Sequence, residues 1–145
     1  MLGDNPIDVV LLASDLRASG EFYVGKLGLE VLSEDESTIV FGCGGDTRII
    51  LSASSTGTAD EQTQASWRVD DLAAELAELR ARGVDVMEYD MPGLKTDNGI
   101  FDGGDALHAW IVDPGLNTIG IDQSKERRTQ CTSSSQEAPE RSAGR

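Results

Sequence analysis

The chain has 145 residues, 39% of them hydrophobic, which is enough for one domain with a packed core and too few for two independent ones. Its 12 Lys and Arg against 26 Asp and Glu give a formal net charge of −14, and residues 1–123 alone carry −16 against +2 on residues 124–145. A body this acidic repels phosphate backbones and anionic lipid, so neither nucleic acid nor a membrane is an expected partner. No run approaches the roughly 18 apolar residues of a membrane span. Residues 1–6 lack the basic and apolar regions of a signal peptide, so a cytoplasmic location is expected. Cys43 and Cys131 lie far apart without metal-ligand spacing and are expected to be unpaired thiols.

The first element is a β-branched run over residues 6–14 (PIDVVLLAS). Ser14 or Asp15 can cap the helix that follows, where Leu16, Ser19, Phe22, Tyr23 and Leu27 recur at helical spacing before Gly28 stops it. Strand-like runs follow at 29–33, 37–41 and 48–52, the last two joined by the turn Gly42-Cys43-Gly44-Gly45-Asp46. A small, polar linker covers residues 54–63. The pattern then restarts, with a strand at 64–69, the capping pair Asp70-Asp71, and a helical stripe of Leu72, Leu76 and Leu79 ending at Gly83. Strand-like runs at 85–89, 109–112 and 117–122 complete it.

Asp15-Leu16 and Asp71-Leu72 are offset by 56 residues, and the final strands by 70, the extra length lying in a loop over residues 90–105. This is one strand-helix-strand-strand-strand unit used twice within a single domain over residues 1–123, module one being 6–53 and module two 64–123. Residues 124–145 are polar, with almost no apolar side chains, and read as a flexible tail.

The opening IDVVLLASDLRASxxFYxxxLGL resembles the first module of the glyoxalase/bleomycin-resistance/dioxygenase proteins, the vicinal oxygen chelate superfamily. The stretch WRVDDLAAELAELRARGV and the ending AWIVDPGLNTIGI are similar to their second module, and the resemblance covers residues 6–123. It implies an α+β fold of paired βαβββ modules whose curved mixed sheets form a cup. In metal-dependent members, four inward residues from the first and last strand of each module hold a divalent ion. Here those positions carry over to Asp8, Ile50, Gln64 and Gly120. Ile50 and Gly120 offer no side-chain donor, so no metal cofactor is expected.

Strand alternation then assigns the inward faces. Asp8, Val10, Leu12 and Ile50 line module one, and Gln64, Ser66, Arg68, Thr118 and Gly120 line module two, with Trp110 near the rim. Together these ten are the expected ligand-binding residues, an apolar surface with a few polar anchors. Arg68 could fix a carboxylate on the ligand or pair internally with Asp8. Replacing a metal ligand by Gly120 is expected to open space for a bulky molecule. His108 stands beside a turn and reads as an exposed or hydrogen-bonded residue, and Trp67 as core.

These readings predict a metal-independent small-molecule binder, with no catalytic residues assigned. Antibiotic-sequestering members of the resembled family commonly dimerise, which implies a homodimer. An enzyme, either a lyase or isomerase using Asp8 as base and Arg68 as electrostatic partner or a dioxygenase with a rebuilt site, is the alternative. A module kept for protein interaction is a third possibility.

Overall fold

A computed structural model describes residues 1–125. Strand β1 (Asp8–Ala13) is followed by helix α1 (Leu16–Glu21), and then by β2 (Glu30–Glu34), β3 (Thr38–Gly42) and β4 (Arg48–Ala53). Module two repeats the order with β5 (Thr63–Arg68) and α2 (Leu72–Ala81), a small hairpin β6 (Asp90–Met91) and β7 (Leu94–Lys95), and then β8 (Phe101–Asp102), β9 (Ala106–Val112) and β10 (Thr118–Ser124). The two main sheets have the same strand order, β1-β4-β3-β2 and β5-β10-β9-β8, with the first and last strand of each module parallel and the other neighbours antiparallel.

The helix starts follow the expected chemistry. Asp15 accepts a hydrogen bond from the amide of Ala18 at 3.0 Å, and Asp71 accepts from Ala74 at 3.1 Å. Each carboxylate satisfies one of the free amides of a first turn. Both helical segments end at a glycine in the left-handed region, Gly28 at φ 74° and Gly83 at φ 80°. Between α1 and Gly28 the chain winds as a π-helical turn over Phe22–Lys26, which the apolar spacing did not signal.

Alternation along the strands decides what is buried. Leu11 and Ala13 of β1, Ile49 and Leu51 of β4, Ala109 and Ile111 of β9, and Ile119 and Ile121 of β10 face the helices and are buried. All but Ala13 join Phe22, Tyr23, Leu72 and Leu76 in one continuous core shared by both modules. Leu27 and Leu29 of module one line a small cavity with Trp67, Val69, Leu79, Ile111 and Ile121 of module two, so the helix-bearing sides of the two modules meet. Trp67 packs against the core, as expected.

A polar knot ties the modules together. The Tyr23 hydroxyl donates to Asp113 Oδ2 at 2.7 Å, and Asn117 Nδ2 donates to the same oxygen and to the Leu12 carbonyl, both at 2.8 Å. Thr58 of the linker donates to Asn117 Oδ1. Burial, then the facing Asp113 carboxylate, push the Tyr23 hydroxyl far above the usual phenol range, so it stays a donor.

One expected strand is absent. Residues 85–89 make only a bridge from Val86 to Ile111, and the edge of the second sheet is β8, two residues long and later in the chain. The long loop also contains the β6–β7 hairpin. Within the Val86–Ile111 bridge the amide of Met87 donates to the Trp110 carbonyl on β9, but the amide of Tyr89 donates to Thr96 Oγ1 in the loop, so the pairing stops there. Strand β10 reaches Ser124. The expectations for the tail beyond residue 125, including the thiol of Cys131, lie outside the described residues, while Cys43 is a free thiol.

Candidate functional site

On the face of each sheet away from the helices, Val10, Leu12, Gln64, Ser66 and Arg68 are exposed while Thr118 and Gly120 are buried, and a bulge in β5 brings Thr63 rather than Gln64 beside Thr118. In module two, the register places three levels across the strands. Thr118 lies beside Thr63 and Val112, Gly120 beside Ser66 and Trp110, and Asp122 beside Arg68 and His108. In module one Asp8 lies beside Arg48, Val10 beside Ile50, and Leu12 beside Ser52.

Two cavities border these faces. One, about 630 Å³, joins Val10 and Leu12 of module one to Gln64 and Asn117 of module two, with the linker residues Gly57, Thr58, Ala59 and Asp60. The other, about 660 Å³, lies over the end of the module-two face, where Met87, Tyr89, Met91, Leu94, Trp110, Val112 and Thr118 face the linker. The hairpin β6–β7 and the linker thus raise walls around Trp110. Tyr89 meets Trp110 edge-on, with ring centroids 5.5 Å apart and planes at 89°, and the indole N–H donates to Thr63 Oγ1 at 3.2 Å. These contacts fix the indole plane, a condition for holding a flat ligand with little loss of freedom. Asp8, Ile50, Ser66, Arg68 and Gly120 line neither cavity, and Gly120 is buried. An open groove of about 740 Å³ beside α1 has an apolar floor of Val24, Val31, Ile39 and Phe41, but it is rimmed by Glu21, Glu34, Asp35 and Glu36 and has no ring-bearing wall comparable to Trp110 and Tyr89.

The structure corrects two expectations. Asp8 does not pair with Arg68. Both of its carboxylate oxygens accept from Arg48, at 2.9 and 2.5 Å, because Arg48 is its direct neighbour on the adjoining parallel strand. The Arg48 guanidinium holds the Asp8 carboxyl below its usual range. Gly120 does not leave open space either. A Cβ added there would lie 2.3 Å from Ser66 Oγ and 3.3 Å from Thr63 Cγ2, so the neighbouring strand already fills the gap.

The four positions where the resembled proteins bind metal do not suit a divalent ion here. Asp8 is occupied by Arg48, the Gln64 amide donates to the Gln62 carbonyl, and Ile50 and Gly120 supply no donor. Among the described residues, no group of three His, Cys, Asp or Glu side chains is placed to hold a metal.

His108 is hydrogen-bonded, through Nδ1, to Asp122 Oδ1 at 2.7 Å. Its ring forms a triangle with those of Phe101 and Trp110, each centroid 6.1 Å away and those two 6.4 Å from each other. Arg48 and Asp122 were not expected as partners. The signal for the second was present: counting five residues outward from Asp113 and from Asn117, the ends of the turn, pairs His108 with Asp122.

The Glyoxalase/Bleomycin resistance protein/Dioxygenase superfamily model matches residues 7–114. The chain belongs to this superfamily. Solved structures with the same fold include a glyoxalase/bleomycin resistance protein/dioxygenase from Alicyclobacillus acidocaldarius, 18% identical, covering 88% of this chain and 96% of that one at a TM-score of 0.65. A bleomycin-binding protein complexed with bleomycin is 20% identical over 83% of this chain and 97% of its own, at 0.62. A lactoylglutathione lyase from Agrobacterium tumefaciens is 20% identical over 81% and 91%, at 0.59. At these identities the superfamily structures share the fold alone. No curated protein matches the chain. Among the described residues, no helix is long and apolar enough to cross a membrane.

Proposed function

We propose that this superfamily member binds a planar organic molecule without a metal and without transforming it, and that the ligand rests on Trp110 between the linker and the β6–β7 hairpin. The observation that carries the reading is the cavity of about 660 Å³ there, with Tyr89, Met87, Met91, Leu94 and Val112 as apolar walls and Thr63 and Thr118 as polar points. Its size and mixture match small-molecule sites. The superfamily includes a bleomycin-binding protein, so binding without chemistry has a precedent on this fold. The enzymatic alternative with Asp8 as base loses support from the Arg48 pair, which stabilises the carboxylate and weakens it as a proton acceptor.

A thermal-shift screen of the full chain with flat aromatic metabolites and antibiotics tests the reading. A binder at a hundred times its Kd should stabilise by about 2.7 kcal/mol. Trp110→Ala should weaken the affinity at least about tenfold, leaving no more than about 1.4 kcal/mol of stabilisation at the same ligand concentration. Elemental analysis should find no stoichiometric zinc, nickel, manganese or iron, and a bound ion lost in Asp8→Ala would refute the metal-independent reading.

A further inference from the structure

Helix α1 packs over β3 and β4, and every residue of the edge strand β2 stays exposed. Between α1 and β2 lies the groove of about 740 Å³, with Ile39 and Phe41 of β3 as its floor. Strand register orders it from end to end. Val31 lies opposite Phe41, on which Tyr23 stacks. Glu34 lies opposite Ile39, whose Cδ1 would sit 2.8 Å from a Cβ on Gly20. One end is therefore apolar, walled by Val24 and Val31 at 44% and 39% exposure. The other end carries Glu21 of α1, Glu34 of β2 and, in the turn that follows, Asp35 and Glu36.

Two observations point to an occupant and to its charge. Gly25 borders the apolar end within the π-helical turn and has no steric or conformational need to be glycine. A Cβ there would meet nothing within 4 Å, and its φ lies outside the left-handed region. Glycine in place of alanine costs a helix about 1 kcal/mol, and the visible effect of bearing that cost here is a wider groove. At the acidic end, four carboxylates face one guanidinium, that of Arg17, which is already bonded to Glu21 at 3.3 Å. The amide and hydroxyl of Ser37 donate to Asp35 Oδ1 at 2.8 and 3.0 Å and hold that carboxyl below its usual range, so it stays ionised. Among the described residues, the side chains of Glu34 and Glu36 have no partner. The complement of such a surface is a positive group on an apolar body.

We propose that this groove is a second binding site, separate from the cavity over Trp110, and that it takes an amphiphilic organic cation. The ammonium sits among Glu21, Glu34 and Glu36, and the apolar body lies along Val24, Gly25 and Val31. The helical segment from Leu16 to Gly25 rises roughly 13 Å, room for an amine and a chain of several carbons.

Calorimetry of the full chain with n-octylammonium, 1-octanol, octanoate and n-propylammonium tests this. Octylammonium should bind at least about tenfold tighter than 1-octanol or octanoate, which lack the charge. It should also bind at least about tenfold tighter than propylammonium, which lacks the tail. Its advantage over 1-octanol should shrink as salt rises from about 0.05 to 0.5 M, because screening shortens the reach of the carboxylates. Gly25→Leu places a side chain in the groove without displacing any atom, so Tm should hold or rise while octylammonium weakens at least about tenfold. Glu34→Gln combined with Glu36→Gln should bring octylammonium close to 1-octanol. Trp110→Ala should change nothing. Equal binding of octylammonium and any of the other three probes by the wild type overturns the proposal, as does a preference that survives both groove variants. Weakening in Trp110→Ala but not in Gly25→Leu places the cation in the other cavity, which overturns this site and leaves that one standing. A loss of mass in light scattering for Gly25→Leu identifies the occupant as a second copy of the chain and overturns the proposal as well.

Discussion

Asp8 and Gly120 show how a position can keep its place in a fold while losing its chemistry. Asp8 is half of an ion pair with Arg48, and the sign of its pH effect follows from the lowered carboxyl. Folding favours the ionised form, so the contribution is complete above the unfolded carboxyl value of roughly 3.9 and disappears as pH falls through the lower folded value. Asp8→Asn should therefore lower Tm slightly near neutral pH and leave it unchanged in strong acid, which thermal denaturation across the acid range will read. The effect is small because the pair is solvent-accessible. Gly120 is a steric matter. Alanine there drives a methyl into Ser66 Oγ, and Gly120→Ala should cost about 1–3 kcal/mol in denaturant unfolding. Much of that loss should return in the double variant with Ser66→Ala, which removes the closest atom. A loss unaffected by Ser66→Ala would show that Thr63 or the strand itself is the obstacle.

At the level of elements, the knot of Tyr23, Asp113, Asn117 and the Leu12 carbonyl is the densest buried polar feature, and it joins α1's π-helical extension, β1 and the β9–β10 turn. Tyr23→Phe removes one donor but leaves Asp113 Oδ2 bonded to Asn117, so it should cost about 1–2 kcal/mol. Asn117→Ala leaves Asp113 Oδ2 bonded to Tyr23 but takes the donor from the Leu12 carbonyl and the acceptor from the Thr58 hydroxyl, and should cost about 3 kcal/mol by chemical denaturation. Equal losses in the two variants would mean that Asn117 is not the hub. Much of this scaffold was legible in the amino-acid sequence, because caps, glycine stops and alternation are local. Asp15, Asp71, Gly28 and Gly83 stand where expected, and Ser66 and Arg68 share levels with Gly120 and Asp122, but a bulge in β5 brings Thr63 rather than Gln64 beside Thr118. What local pattern could not convey is register between strands distant in sequence. That register puts Arg48 rather than Arg68 against Asp8, and Ser66 over Gly120. Residues 85–89 misled for a related reason. Their alternation fits a strand, and Met87 does donate to Trp110 of β9, but Tyr89 spends its amide on Thr96 Oγ1, so pairing stops after one bridge and the edge strand is β8.

The whole molecule puts its two helix-bearing sides into one shared core and leaves two open sheet faces, which are not alike. The module-two face carries rings, His108 and Asp122. The module-one face carries exposed Val10 and Leu12 with Leu32 beside Gly42, at 60%, 39% and 52% exposure. A single exposed aliphatic residue needs no explanation, but several on one sheet face, from β1 at one edge to β2 at the other, in an otherwise strongly acidic chain do. The homodimer that the family resemblance implies would account for it, because a second copy can cover that face and exclude water from whatever the neighbouring groove of Val10, Leu12 and Gln64 holds. Stable association takes roughly 800 Å² from each partner, so a charge at its centre should be decisive. Light scattering after gel filtration should therefore find the wild type dimeric, and Val10→Glu or Leu12→Glu monomeric at the same concentration. Circular dichroism should show the variants folded, since neither side chain contributes to the buried core. If ligand binding also weakens in the monomeric variants, the site is completed by the second copy. If it is unchanged, the cavity over Trp110 is sufficient within one chain. A wild type that is monomeric at micromolar concentration would leave the module-one face unexplained by self-association and defeat the dimer.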